Sequence, residues 1–211
     1  NAAATPMCTR PLYIGLMSGT SLDGIDAVIA DVDGADGAIS ANGTPRLLHS
    51  HFQPFAPVLR AELLALQAPC DNELHRAALA GNALSRAYVE VVQTLLQRSG
   101  LPASAIRAIG AHGQTVRHRP QEFDGTGYTL QLISPALLAE RTGITVVADL
   151  RSRDVAAGGQ GAPLVPAFHQ GVFGRPDETV LVLNIGGISN LSVLGADGSV
   201  LGFDCGPGTA L

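Results

Sequence analysis

Apolar and polar positions divide the chain into two copies of one pattern with helical stretches between them. At the front, Tyr13, Ile14, Leu16 and Met17 run into the polar cluster Ser18-Gly-Thr-Ser-Leu-Asp-Gly24, and a second apolar run over residues 25–30 follows. That order predicts strand, turn, strand. Residues 180–194 repeat it around a turn of Asn184, Gly186, Gly187, Ser189 and Asn190. Two such units about one domain length apart predict two lobes, each offering one glycine-rich turn to a shared ligand.

Between them, Val32-Asp-Gly-Ala-Asp-Gly37 reads as a turn and residues 46–52 as a third strand, apolar at Leu47, Leu48 and Phe52. Residues 57–66 suit a short helix with Pro57 in its first turn. A longer helix opens at Asp71, carries Leu74, Ala77, Leu84, Tyr88, Val91, Val92 and Leu95 at threes and fours, and stops at Ser99-Gly100 before Pro102. Residues 104–118 start as a buried strand and turn polar at Gly110. After a polar loop over 121–127, residues 128–133 form a strand, Ser134 and Pro135 start a helix that Gly143 closes, and residues 144–148 form a buried strand. This β-α-β order predicts a parallel segment. Residues 163–173 read as a helix, 195–198 as a turn, and 199–203 as a strand ending at Asp204-Cys-Gly-Pro-Gly208.

Composition narrows the function classes. With 46% hydrophobic and 15% charged residues, the 211-residue chain can bury one sizeable core or two small ones. It has no apolar run of the ~18 residues a membrane span needs, and the Asn-Ala-Ala-Ala-Thr-Pro start lacks the order of a signal peptide, so a flexible terminus over 1–11 and a cytoplasmic location are expected. A net charge of −5 with scattered arginines argues against a nucleic-acid surface. Cys8, Cys70 and Cys205 form no Cys-x-x-Cys pair, so reduced thiols are expected, with neither a disulfide framework nor a structural zinc site.

In the first turn, Gly19 and Gly24 allow positive φ and close backbone approach, while Ser18, Thr20 and Ser21 add hydroxyl and N–H groups that can ring an anion. Asp23 and Asp26 accept only, so beside a phosphate they act through a divalent cation or its waters. No Walker lysine is present. An ordinary hairpin whose polar residues satisfy their own backbone is the other reading.

Three further clusters carry chemistry. His112, Gln114 and Thr115 sit between glycines at a strand end, where side chains can meet a sugar; a capped loop is the plain alternative. Asp149-Leu-Arg-Ser-Arg-Asp154 offers Arg151 and Arg153 as bidentate grips for a carboxylate, unless Asp149 and Asp154 hold them as structural ion pairs. Gln160, in a loop thinned by Gly158, Gly159 and Gly161, can reach a neutral hydroxyl or amide. His169 reads as a packed residue with no nucleophile beside it. Asp204, at a strand end next to Gly-Pro-Gly, is placed to act on a ligand or to cap the next element.

The two turns, residues 149–166 and Gly202-Phe-Asp-Cys-Gly-Pro-Gly208 together closely resemble the anhydro-N-acetylmuramic acid kinase family of the actin, sugar-kinase and heat-shock ATPase superfamily, from Tyr13 to the last residue. The resemblance implies a two-lobed α/β, actin-like (ribonuclease H-like) fold, with residues 12–176 as the N-terminal lobe and 177–211 as the start of a C-terminal lobe, the chain being the N-terminal part of a longer enzyme. It implies ATP with Mg2+ held by Gly19, Thr20, Ser21, Leu22, Asp23, Gly24, Ile25 and Asp26 and by Asn184, Gly186, Gly187, Ser189 and Asn190, with Asp23 and Asp26 facing the metal. It implies Asp204 as general base, the lactyl carboxylate of an amino sugar as partner for Arg151 or Arg153, and phosphorylation of 1,6-anhydro-N-acetylmuramic acid in cell-wall recycling. A homodimer is implied in the same way.

Overall fold

The computed structural model describes residues 11–32 and 45–208. The expectations for the N-terminal segment, Cys8 and the 32–37 turn fall wholly or almost wholly outside them. The first hairpin forms as β1 (Leu12–Met17) and β2 (Gly24–Asp31), antiparallel, with β3 (Arg46–Pro54) antiparallel on the far side of β2. Alternation drives it: Ile25, Ala27 and Ile29 are buried, whereas Asp26 faces solvent.

Two helices follow, α1 (Pro57–Ala65) and the 27-residue α2 (Glu73–Ser99). Leu84, Tyr88, Val91, Val92 and Leu95 give α2 a fully buried stripe that lies over β2 and β3. Gly100 ends it in the left-handed conformation, φ 69°. The chain then returns as β4 (Ile106–Ala111), parallel to β1, so Ile14, Leu16, Ile109 and Ala111 join the same core.

The strand expected to turn polar at Gly110 ends at Ala111. Gly113 at φ 75° turns the chain where a Cβ would press 2.8 Å from the Leu132 carbonyl oxygen. The next strand, β5 (Gln114–Pro120), pairs antiparallel with β6 (Gly127–Leu132) in a separate ribbon. Consecutive Arg117, His118 and Arg119 make β5 too polar for the buried sheet. The predicted parallel β-α-β unit is corrected accordingly: helix α3 (Pro135–Thr142) leads from the ribbon to β7 (Val146–Val147), whose parallel neighbour is β4. The main sheet has the order β3-β2-β1-β4-β7.

A five-residue helix, α4 (Ser152–Ala156), was not foreseen. The helix expected from residue 163 begins later, as α5 (Pro166–Phe173), because Pro166 has no N–H and fits only the first turn. The second hairpin, β8 (Val180–Ile185) and β9 (Ile188–Leu194), is extended by β10 (Val200–Pro207) into an antiparallel sheet of three strands. One face of it packs on α5, where Ser192 is fully buried and a Cβ on Gly202 would collide with Pro166.

Candidate active site

The first turn is held from beneath. Leu22, 3% exposed, is driven into the core in the left-handed region at φ 53°, and its N–H donates to the Gly19 carbonyl at 3.2 Å. Arg60 Nε donates to Leu22 O at 2.9 Å and Gln114 Nε2 to Gly19 O at 3.1 Å. Positive φ, expected at Gly19 and Gly24, falls on Leu22 instead. Gly24 is needed for space: its Cβ would collide with the Gln53 carbonyl and lie 2.7 Å from Phe52 Cζ.

Ser18 is buried and donates to Gly113 O at 3.0 Å, so the Tyr88 hydroxyl, 2.9 Å away, is the donor between the two. Burial pushes the Tyr88 pKa up to about 12, which keeps that proton in place.

In the second sheet, Asn184 stands opposite Asn190, and Asn190 opposite Asp204. Residues paired across strands share a face, so the three polar side chains form one row. The register shifts between Asp204 and Gly206, a bulge that re-aims the strand end. Gly208 N–H donates to Gly187 O at 3.0 Å and Ser189 Oγ to Pro207 O at 3.2 Å, tying this end to the second turn.

Both turns face one cleft of about 550 Å³. Its walls include Gly19, Thr20, Ser21, His112, Thr115 and Arg151 from the first part of the chain, and Asn184, Gly186, Gly187, Asn190 and Asp204 from the second. Met17, Leu150 and residues 162–165 form its apolar parts, and His169 also borders it. Arg151 Nε donates to His112 Nε2 at 3.0 Å, and Nη1 donates to Gly161 O at 2.6 Å. Burial lowers the Arg151 pKa while Asp204 opposes that shift, so the two opposite charges feel each other across the cleft. Burial, then Arg151, lowers the His112 pKa.

Several expected residues lie elsewhere. Gln114 is fully buried beneath the first turn and is no part of the cleft wall. Arg153 and Gln160 are exposed and also outside it. The ion pairs considered for Asp149 and Asp154 do not form among the described residues: Asp154 Oδ2 accepts from Gly161 N–H at 2.7 Å, and Asp149 Oδ1 accepts from Ser152 Oγ at 2.5 Å. Leu22 and Ile25 are buried, acting through packing.

Asp23 and Asp26 lie off the cleft wall. Asp23 Oδ1 accepts from Ser21 Oγ at 2.8 Å and Gly24 N–H at 3.0 Å. The Asp26 pKa is raised, first by burial and then by Asp23, so the two carboxylates sit near enough to repel. Such a pair suits Mg2+, which takes one or two carboxylates along with phosphate and water oxygens, although no group of three ligating side chains occurs among the described residues.

His169 is buried, its Nδ1 2.9 Å from Ser192 Oγ, and packed beside Phe173 as the sequence implies, yet it borders the cleft. The bordering segment 162–165 was missed because its residues are apolar or proline and carry no chemical signal. Cys70 and Cys205 are free thiols. No helix among the described residues is long and apolar enough to cross a membrane.

Residues 11–211 match the anhydro-N-acetylmuramic acid kinase family. The chain belongs to that family. Relatives bearing the same name include proteins of Variovorax paradoxus, 63% identical over 205 residues, Cupriavidus metallidurans, 58% over 211, and Nitrosomonas europaea, 53% over 199. The alignments cover 95%, 99% and 94% of this chain and 52%, 53% and 52% of those proteins. The chain thus spans about half the length of the curated relatives it matches. The observed sheets and helices make a mixed α/β fold, the class expected from the resemblance.

Proposed function

We propose that this chain supplies the phosphate-holding turns and the general base of an ATP-dependent kinase that opens 1,6-anhydro-N-acetylmuramic acid and yields N-acetylmuramic acid 6-phosphate for peptidoglycan recycling. The reading is carried by the convergence of both glycine turns, Arg151 and Asp204 on one cleft in a member of this family. Residues 12–176 serve as one lobe and 177–211 begin the other. The location is cytoplasmic, as composition implies, and the assembly a homodimer, carried over from the resemblance.

The anhydro sugar has no free 6-hydroxyl. Water attacks the anomeric carbon, Asp204 takes the proton of that water, the bond from the anomeric carbon to O6 breaks, and O6 takes the γ-phosphoryl group as ADP leaves. Arg151 holds the lactyl carboxylate with its remaining N–H groups. The N–H groups of the two turns cradle the phosphates, and Asp23 and Asp26 would hold Mg2+, which neutralises phosphate charge when bound. The apolar wall of Met17, Leu150 and Leu164 limits water to the attacking molecule.

Turnover in isotopically labelled water tests this directly. Ring opening by water puts the label on the anomeric oxygen of the product. An unlabelled product would instead fit a kinase of an ordinary sugar hydroxyl, in which Asp204 deprotonates the acceptor.

A further inference from the structure

We infer that His112 is a positioning residue that aims Arg151 into the cleft and makes no polar contact with the ligand itself. A neutral imidazole has one donor and one acceptor nitrogen. Arg151 Nε can only donate, so His112 Nε2, 3.0 Å away, is the acceptor. Nδ1 therefore carries the proton and donates to the Gly113 carbonyl at 2.7 Å. Both ring nitrogens are committed inside the protein.

The anchor continues inward. Gly113 O also accepts from Ser18, whose oxygen accepts from the Tyr88 hydroxyl, so the ring is tied through three hydrogen bonds to the buried face of α2. Of the five guanidinium N–H groups, His112 takes one and Gly161 O a second, which leaves three for a ligand. Protonating His112 would set an N–H against the Arg151 N–H and place two cations side by side. Around this pair stand Asp204 from β10 and His169 from α5 on the cleft wall, and His118 from β5, which also feels Arg151 and Asp204. Burial and Arg151 keep His112 mostly neutral at its ordinary pKa of 6.5.

The inference rests on the kinase reading for its kinetic test alone. In a full-length protein that joins this chain to the half the relatives also possess, His112→Ala removes the acceptor, and His112→Gln keeps one that cannot titrate. His112→Ala is expected to raise KM for the anhydro sugar by about tenfold or more, with kcat and the KM for ATP changed by less than about threefold, and His112→Gln to restore most of the loss. The wild-type sugar KM should climb as pH falls below 6.5, and the His112→Gln profile should be flat there. A sugar KM unchanged in His112→Ala, or a pH profile that survives in His112→Gln, overturns the inference. Ring-nitrogen NMR of the same protein needs no turnover: the Nδ1–H tautomer is expected for His112, and the Nε2–H tautomer overturns the assignment even if the substrate proves to be a different one.

Discussion

At the scale of single residues, the first turn is shaped by what it cannot accommodate. A Cβ on Gly24 meets the Gln53 carbonyl and the Phe52 ring, whereas one on Gly19 comes no closer than 3.6 Å to Ser21 Oγ. Gly24→Ala should therefore cost roughly 1–3 kcal/mol by overpacking, and Gly19→Ala should stay within about 0.5 kcal/mol of wild type. Urea unfolding of both variants checks the contrast, and equal losses would contradict it. Sequence reasoning picked out both glycines but attached φ freedom to them. The left-handed residue is Leu22, because its side chain must reach the core from a turn too short to do so otherwise.

The histidines make a second residue-scale prediction. Burial lowers the pKa of His112, His118 and His169 below 6.5. As pH falls through 6.5 the unfolded chain binds protons that the folded chain does not, so stability is complete above that value and declines below it. Denaturant midpoints at about pH 5.5 should lie below those at about pH 7.5; equal or higher ones would contradict the assignment.

At the scale of elements, the two hairpins were legible because each is an apolar run, a short polar turn and another apolar run, a pattern with few alternative folds. The β5–β6 ribbon was not, because the sequence continues from β4 with only Gly113 to mark the break, and a reversal of pairing leaves no periodicity signal. The second turn depends on contact with the end of β10. A Cβ on Gly208 would collide with the Gly186 carbonyl. Gly208→Ala should then disturb the Gly186–Gly187 backbone and raise the KM for ATP in the full-length protein by about tenfold, with little change in the sugar KM. A rise confined to the sugar KM would place this turn away from the phosphates.

At the scale of the whole molecule, the three-stranded sheet has two unlike faces. Asn184, Asn190 and Asp204 share one with the residues that pack on α5, while the other carries Leu181, Val193 and Leu201 in one row and Leu183, Leu191 and Phe203 in the next. Leu181 and Leu201 are each 61% exposed and Leu183 57%. An apolar face of this kind binds other apolar surface. The 211-residue chain alone should enhance the fluorescence of an apolar dye, and a full-length protein should not; a chain that leaves the dye dark would show this face to be covered.

The same scale shows what a linear reading leaves out. Arg151 and Arg153 are equivalent by spacing, and only α4, which begins between them, turns Arg151 toward His112 and leaves Arg153 in solvent. Gln114 looked like a ligand contact by its glycine neighbours, yet β5 carries it beneath the first turn.

The central claim is that Asp204 acts as base on a water that opens an anhydro sugar. The most direct measurement is ADP release by the full-length protein with magnesium-ATP and 1,6-anhydro-N-acetylmuramic acid, for wild type and Asp204→Asn. Sugar-dependent turnover that falls by ~10²-fold or more in the variant is predicted for loss of a general base. Turnover that ignores the sugar, or that Asp204→Asn leaves intact, would contradict the account.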